Sequence, residues 1–146
     1  MEFNFDLNHV ENLLKTESDI HVGFAADFND VRSRSAQVAT LFVLPLDEQF
    51  TESESVNGQD EYLAKEMFGV MILIPVIAAN EEADEQIKRL RNDVKSILAG
   101  ATFTGYQPIK LNRGRVVELN KDTGNLIYQC QFSIESNLTV TTRVIT

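Results

Sequence analysis

Hydrophobic and polar residues alternate with changing periods along this chain, and the first pattern has the spacing of a helix. Apolar residues three and four apart predict an amphipathic helix from Leu7 to about Thr16, with Asp6 as its cap. A brief strand is expected around Ile20 to Phe24. The polar segment from Asp27 to Gln37 has room for one or two helical turns.

Two β-rich runs surround an acidic segment in the middle of the chain. Residues Val38 to Leu46 are apolar at almost every position, which predicts a buried strand that ends at Pro45. Residues Tyr62 to Val76 predict one long strand, whose polar start projects beyond the core as an arm of a hairpin. The segment 47–61 between them has hardly any hydrophobic residue and is expected to be an exposed, mobile loop that offers a contact surface.

The second main helix is expected from Glu81 to about Ala99, with Asn80 as its cap and Gly100 just beyond its end. Acidic residues crowd its first turns and basic residues its later turns, as the helix dipole favours. Its apolar stripe repeats at spacings of four and three and consists of Ala83, Ile87, Leu90, Val94 and Ile97.

The C-terminal third predicts a hairpin followed by a long alternating strand. The hairpin pairs residues 106–111 with 115–119 through a turn at 112–114. Alternation over 126–135 predicts a strand with one buried face and one that is mostly wet or faces a partner. The almost uncharged tail 138–146 is expected as an edge strand on this molecule or on a neighbour.

These elements predict one α+β domain over residues 1–146. Its mixed, mainly antiparallel sheet is flanked by two main helices and extended by a long projecting β-hairpin or loop. One cysteine, Cys130, excludes a disulfide scaffold and a cysteine-rich zinc cluster. With no apolar run of about 18 residues and no secretory pattern at the N-terminus, we expect a soluble protein made in a reducing cytoplasm, without a membrane partner.

Charge is distributed unevenly along the chain, whose net charge is −9. Residues 1–86 contain 18 acidic and 4 basic residues, whereas residues 87–146 contain 4 acidic and 9 basic residues. If folding keeps the two blocks on separate surfaces, copies can dock head to tail into a ring or a filament. Alternatively, the blocks intermix in space as ordinary solvated surface.

Motifs of catalysis and ligand binding are missing from the sequence. The two histidines, His9 and His21, have no nucleophile and orienting acid at a recognisable spacing, and Cys130 is expected to be a buried hydrophobe. The acidic segment lacks both the apolar surroundings that raise a carboxyl pKa and the spacing of a calcium loop. We therefore expect no catalytic residue, no metal site and no cofactor.

Basic residues cluster late in the chain, at Lys110, Arg113, Arg115 and Lys121. They are able to contact phosphates, but a nucleic-acid-binding domain usually has a positive net charge. The acidic segment of a second copy is an equally good partner for these four residues.

Five local strings follow one another along the chain: Leu41-Phe42-Val43-Leu44-Pro45-Leu46, Phe68-Gly69-Val70, Leu90-Arg91-Asn92-Asp93-Val94, Gly114-Arg115-Val116-Val117 and Tyr128-Gln129-Cys130-Gln131-Phe132. In this order and spacing they resemble the phage tail terminator family over about residues 7–135. Departures from the family pattern are Cys130, where an acid is common, Tyr128, where Trp is common, and Arg113, where a second Gly is common.

The resemblance implies an α+β subunit of a hexameric ring at the head-proximal end of a phage tail, assembled in the host cytoplasm. Such a ring halts polymerisation of the tail tube and then offers a surface to the neck or connector. The corresponding hypothesis is a contact between subunits of the ring, or with the tube or sheath, while DNA passes through an acidic channel without specific binding. Its proposed members are Glu52, Glu54 and Glu61 on the acidic side and Arg113, Arg115 and Lys121 on the basic side.

Two other interpretations remain open at this stage. A neck or tail-completion protein of similar size differs only in what lies above and below it in the particle. A small ligand-binding or hydrolytic α+β domain belongs to a different class, and a monomer with a deep apolar pocket would favour it.

Overall fold

A five-stranded mixed sheet forms the centre of the computed structural model, which describes residues 2–76 and 81–146. The strand order is β1-β2-β3-β5-β4, with β1 parallel to β2 and every other neighbouring pair antiparallel. The architecture confirms the predicted single α+β domain with a mixed, mainly antiparallel sheet. The strands are β1 (His21–Val22), β2 (Thr40–Val56), β3 (Gln59–Pro75), β4 (Lys110–Asn120) and β5 (Asn125–Thr141).

Within the described residues, three α-helices pack against this sheet, and two of them follow the predicted apolar spacing. In α1 (Asn8–Glu17), Val10 and Leu14 are fully buried, and the Asn8 N–H before them donates to Asp6 Oδ1 at 2.9 Å. The helix α3 (Glu81–Leu98) buries Leu90, Val94 and Leu98. The predicted cap at Asn80 lies outside the described residues. The short helix α2 (Phe28–Arg32) follows a 3-10 turn at Ala25–Asp27, within the segment expected to hold one or two turns.

The two faces of the sheet have separate cores. The larger core lies between the sheet and the helices α1 and α3, and the smaller one lies under α2 on the opposite face. Alternation assigns neighbouring residues to different faces, so Val43 joins the larger core and Phe42 the smaller one. The smaller core consists of Phe28, Phe42, Met71, Leu73 and Ile127.

The segment 47–61 is β-structure, so the prediction of a mobile loop there is wrong. The strand β2 continues through Pro45, where the register shifts, and stays paired with β3 as far as Val56. Asn57 and Gly58 then reverse the chain with φ of 52° and 76°, as a two-residue hairpin turn requires. Pro45 does not end the strand. It lies beside a bulge, on a stretch of β2 that has a neighbouring strand on one side only among the described residues, so its missing N–H breaks no pairing with a second strand. How far this segment projects from the subunit stays a prediction.

The predicted hairpin over 106–119 is also wrong, because residues 110–120 form one strand with two register shifts. Gly114 lies within this strand and does not form a turn. It lies against the Tyr128 hydroxyl, and a Cβ at position 114 would collide with that oxygen. The Gly signal therefore reflects a close approach between neighbouring strands.

The long alternating strand is β5, and it is buried on both faces over much of its length. Tyr128, Cys130 and Phe132 join the larger core as predicted, but Gln129 on the other face is only 5% exposed, so that face is not mostly wet. The start of the predicted tail is an edge strand of this molecule, since residues 138–141 continue β5 and pair with β3 alone.

Candidate interaction surface

The far end of the sheet is a three-stranded segment that we call the distal ribbon, composed of residues 47–56, 59–66 and 135–141. The predicted acidic residues lie on it and are exposed. Glu54 is directly opposite Glu61, so these two carboxylates share one face of the sheet. Glu52 is opposite Tyr62 and points to the other face.

Like charges face each other at two places on the distal ribbon. Besides Glu54 and Glu61, Glu48 is directly opposite Glu66. Pairs of like charge across antiparallel strands are destabilising, by amounts on the order of a few tenths of a kcal/mol. Backbone pairing nevertheless continues to the turn, and the Ser55 hydroxyl donates to Asp60 Oδ1 at 2.6 Å. A positively charged partner on the face of Glu54 and Glu61 would relieve the repulsion between these two carboxylates.

The predicted basic residues belong to β4 and the turn after it. Arg113 is opposite Gln131, and Arg115 is opposite Gln129, so both guanidinium groups lie on the face that α2 partly covers. The two Gln side chains are joined by a bond in which Gln131 Nε2 donates to Gln129 Oε1 at 2.7 Å. Lys121 lies in the turn between β4 and β5 and is exposed like the two arginines.

A salt bridge fixes the position of β4 against α2. Arg32 Nη2 lies 2.8 Å from Glu118 Oε2, and the Arg32 guanidinium also stacks 5.2 Å from the centre of the Phe28 ring. Glu118 is the one acidic residue of β4, so this contact engages it within its own subunit. The remaining charges of the strand are basic.

The acidic and basic groups lie far apart on one subunit. Along β5, Arg115 aligns with Gln129 and Glu61 aligns with Thr139, which corresponds to roughly 30 Å at the rise of a β-strand. None of the ion pairs in residues 2–76 and 84–146 joins the two groups. The structure therefore brings Glu54 and Glu61 together and Arg113 and Arg115 together, but separates acids from bases.

Two polar residues that the sequence patterns did not single out form hydrogen bonds between distant segments of the chain. Asn125 is fully buried; its Oδ1 accepts from the Ala36 N–H at 3.1 Å, and its Nδ2 donates to the Arg34 carbonyl at 2.6 Å. Glu66 accepts the Phe5 N–H with both carboxylate oxygens, at 2.9 and 3.0 Å. Because the bonded residues lie far apart in the sequence, the local spacing of polar residues does not predict these bonds.

Burial shifts the pKa of Glu66 above its ordinary value of 4.5, while the Phe5 N–H bond opposes the shift and the nearby Glu48 charge adds to it. The carboxylate lines a surface groove with Phe5, Leu46 and Met67. Burial also raises the pKa of the Cys130 thiol, which disfavours the reactive thiolate.

The described part of the chain contains neither a cluster of metal-binding side chains nor a membrane-spanning helix. Within residues 2–76 and 84–146, no three His, Cys, Asp or Glu side chains converge as a metal site. His9 packs beside the rings of Phe5 and Phe103. No helix among the described residues has the length and apolarity needed to cross a membrane.

Comparison with known proteins gives one extensive match. The family model described as phage tail terminator protein matches residues 1–142. Among solved structures, the chain is similar to one from the virion of a native gene transfer agent particle, with a TM-score of 0.44 and 14% sequence identity. That similarity covers 66% of this chain and 69% of the other. No curated protein matches the sequence.

Proposed function

Because the chain belongs to the phage tail terminator protein family, we propose that it forms a ring that caps the tail tube and stops its polymerisation. The chain is a structural protein of a phage tail, and its place is in the virion. In the proposed role the ring also provides the surface to which the neck or connector joins. The match over residues 1–142 is the observation on which this proposal rests.

The placement of charge supports assembly through two different surfaces. Glu54 and Glu61 lie near the turn of the distal ribbon, and Arg113 and Arg115 lie on β4, roughly 25 to 35 Å away along the strands. One subunit cannot satisfy both groups by itself. Contacts between unlike surfaces generate rings when the rotation between copies closes, and we propose six copies.

In the proposed role the subunit acts through its contacts in the tail and catalyses no reaction. The ring contacts the tail tube on one side, and the sheath where the tail has one. The subunits assemble in the host cytoplasm and need no cofactor. The acidic excess of the chain keeps DNA from adhering as it passes through the channel, because phosphates and carboxylates repel each other.

Reversing the two arginines tests the contact. The double variant Arg113→Glu, Arg115→Glu is expected to remain monomeric at low salt, since it places carboxylates against Glu54 and Glu61. Mass in solution and negative-stain images measure the result. The matched control is Lys88→Glu, Arg89→Glu on the exposed face of α3, which changes net charge equally and should leave rings intact. Normal rings from the Arg113 and Arg115 variant would contradict the contact.

Tail length tests the capping role separately. Phages that lack this subunit should produce overlong tail tubes, because nothing stops addition of further tube protein. Normal-length but unattached tails would instead indicate a neck or tail-completion protein. Turnover of a small molecule by a purified monomer would indicate a ligand-binding or hydrolytic domain. Electron micrographs of lysates distinguish the first two outcomes.

A further inference from the structure

Two long strand edges with charged residues have no neighbouring strand within the described residues; the outer edges of β1 and of residues 136–141 of β5 are also open but are shorter and contain no acidic, lysine or arginine residue. The strand β4 is last in the strand order, so its outer edge is open from Lys110 to Asn120. On the opposite side of the sheet, β1 pairs with β2 only at Thr40 and Leu41, so the rest of β2 is open as far as Val56. An open edge presents unpaired N–H and C=O groups and is a template for another strand.

Both open edges also expose apolar side chains, which an edge kept for solvent usually lacks. On β4, Leu111, Val116 and Leu119 are 54%, 57% and 63% exposed. On β2, Phe50 and Val56 are 45% and 58% exposed. Exposed apolar residues grouped along an unpaired edge indicate a contact with another protein.

Charge decides which edges can meet. Residues 47–56 of β2 include four acids and no base, namely Asp47, Glu48, Glu52 and Glu54. Residues 110–120 include three bases, Lys110, Arg113 and Arg115, and one acid, Glu118, which Arg32 engages. Two copies of β2 repel each other, as do two copies of β4, and only the unlike edges attract.

We infer that the outer edge of β4 in one copy pairs with residues 47–56 of β2 in the next copy, so that one β-sheet continues across the subunit boundary. The inference rests on the proposed ring and specifies how its neighbours bind. Because the two edges lie on opposite sides of the sheet, each subunit keeps one free edge after the first contact. Addition therefore continues until the last copy meets the first.

Photo-cross-linking of the purified full chain tests the pairing. A photoreactive benzoylphenylalanine in place of Val116 is expected to join two copies, and mass spectrometry should locate the second attachment point within residues 47–56. The control places the same group at Phe24, an exposed residue beside β1. We expect no attachment to residues 47–56 from that position.

Hydrogen exchange measures the same contact without a bulky probe. Amides of residues 47–56 should exchange at least about tenfold more slowly in the ring than in the monomeric Arg113→Glu, Arg115→Glu variant. Rings whose cross-links lie elsewhere and whose β2 amides stay unprotected would overturn the edge pairing and leave the ring proposal standing. A chain that stays monomeric and gives no cross-link between copies, alone or in assembled particles, would overturn both.

Discussion

The two ends of the same sheet differ in what stabilises them. Near the helices, β3 and β5 bury side chains on both faces, and Phe68 stacks on Phe132 with ring centres 5.5 Å apart. In the distal ribbon, the same strands are continuous but most side chains of β2 are exposed. Backbone pairing is common to both ends, whereas hydrophobic burial is concentrated at one.

This difference separates folding from assembly. The helix-covered end is able to supply most of the stability of the subunit, because burial of apolar surface is the dominant favourable contribution to folding. The distal ribbon has two facing pairs of like charge, which cost stability in an isolated subunit, and exposed apolar residues, which contribute little to its stability. Such features are consistent with a surface that is completed by a partner.

The largest expected effect is a loss of folding stability when one phenylalanine is truncated to alanine at each end of the sheet. Phe68→Ala should lower the free energy of unfolding by about 3 to 5 kcal/mol, because it leaves a cavity in the larger core. Phe50→Ala, on the exposed ribbon, should cost less than about 1 kcal/mol. Urea unfolding at several protein concentrations measures both values and separates folding from assembly. Equal losses would show that the distal ribbon is part of the folding core.

A smaller effect of opposite sign is expected from the facing carboxylates. Glu54→Gln should stabilise the isolated subunit by about 0.2 to 1 kcal/mol, since it removes the repulsion from Glu61. The gain in stability should shrink at high salt, because salt screens the repulsion. The same variant should form rings less readily than the unaltered subunit, because it lacks one of the proposed contact charges. The control Glu52→Gln removes the same charge opposite Tyr62, so its gain in stability should be smaller. Identical gains from both variants would rule out the pair repulsion.

The smallest effect concerns pH. Because burial raises the pKa of Glu66 above 4.5, the folded subunit binds this proton more tightly than the unfolded chain does. The stabilisation is fully present below pH 4.5 and is lost as pH rises through the raised pKa. In Glu66→Gln this part of the pH dependence should disappear. Urea unfolding at a series of pH values tests this, and an unchanged pH profile would contradict it.

The apolar spacing predicts the helix-covered end well. Val10, Leu14, Leu90 and Val94 are all fully or almost fully buried, as expected of helix faces that pack on a sheet. The strand patterns likewise predict the buried half of β2 and most of β3 and β5. At these positions burial determines the structure, and burial is what a hydrophobic pattern records.

The distal ribbon was not predicted, because it forms without burial on both faces. Gln49 and Thr51 are polar, and they are strand residues because β3 pairs with them. The local signal that marks this structure is Asn57-Gly58, a dipeptide typical of a tight hairpin turn. At Gly114 a turn was predicted where the structure has a strand. This glycine is needed for the close contact with Tyr128, but in the sequence it resembles a turn residue.

The acidic and basic residues of the candidate surface could be named from charge alone, but their geometry could not. Neither composition nor spacing indicates that Glu54 shares a face with Glu61 while Glu52 does not, because a bulge between positions 52 and 54 shifts the register. The bonds of Asn125 and Glu66 join residues far apart in the chain. Only the folded topology brings such partners together.

The brevity of the turn at Asn57 and Gly58 has a consequence for how this surface can diversify. Alternate residues of a strand face opposite ways, so the pairing frame of the arm determines which carboxylates stand side by side. An inserted residue that is taken up by a one-position slide of β2 against β3 would move Glu52 and Glu54 each to the opposite face, while Glu61 on β3 would keep its face. Related subunits could thus acquire different assembly partners with no gain or loss of charge.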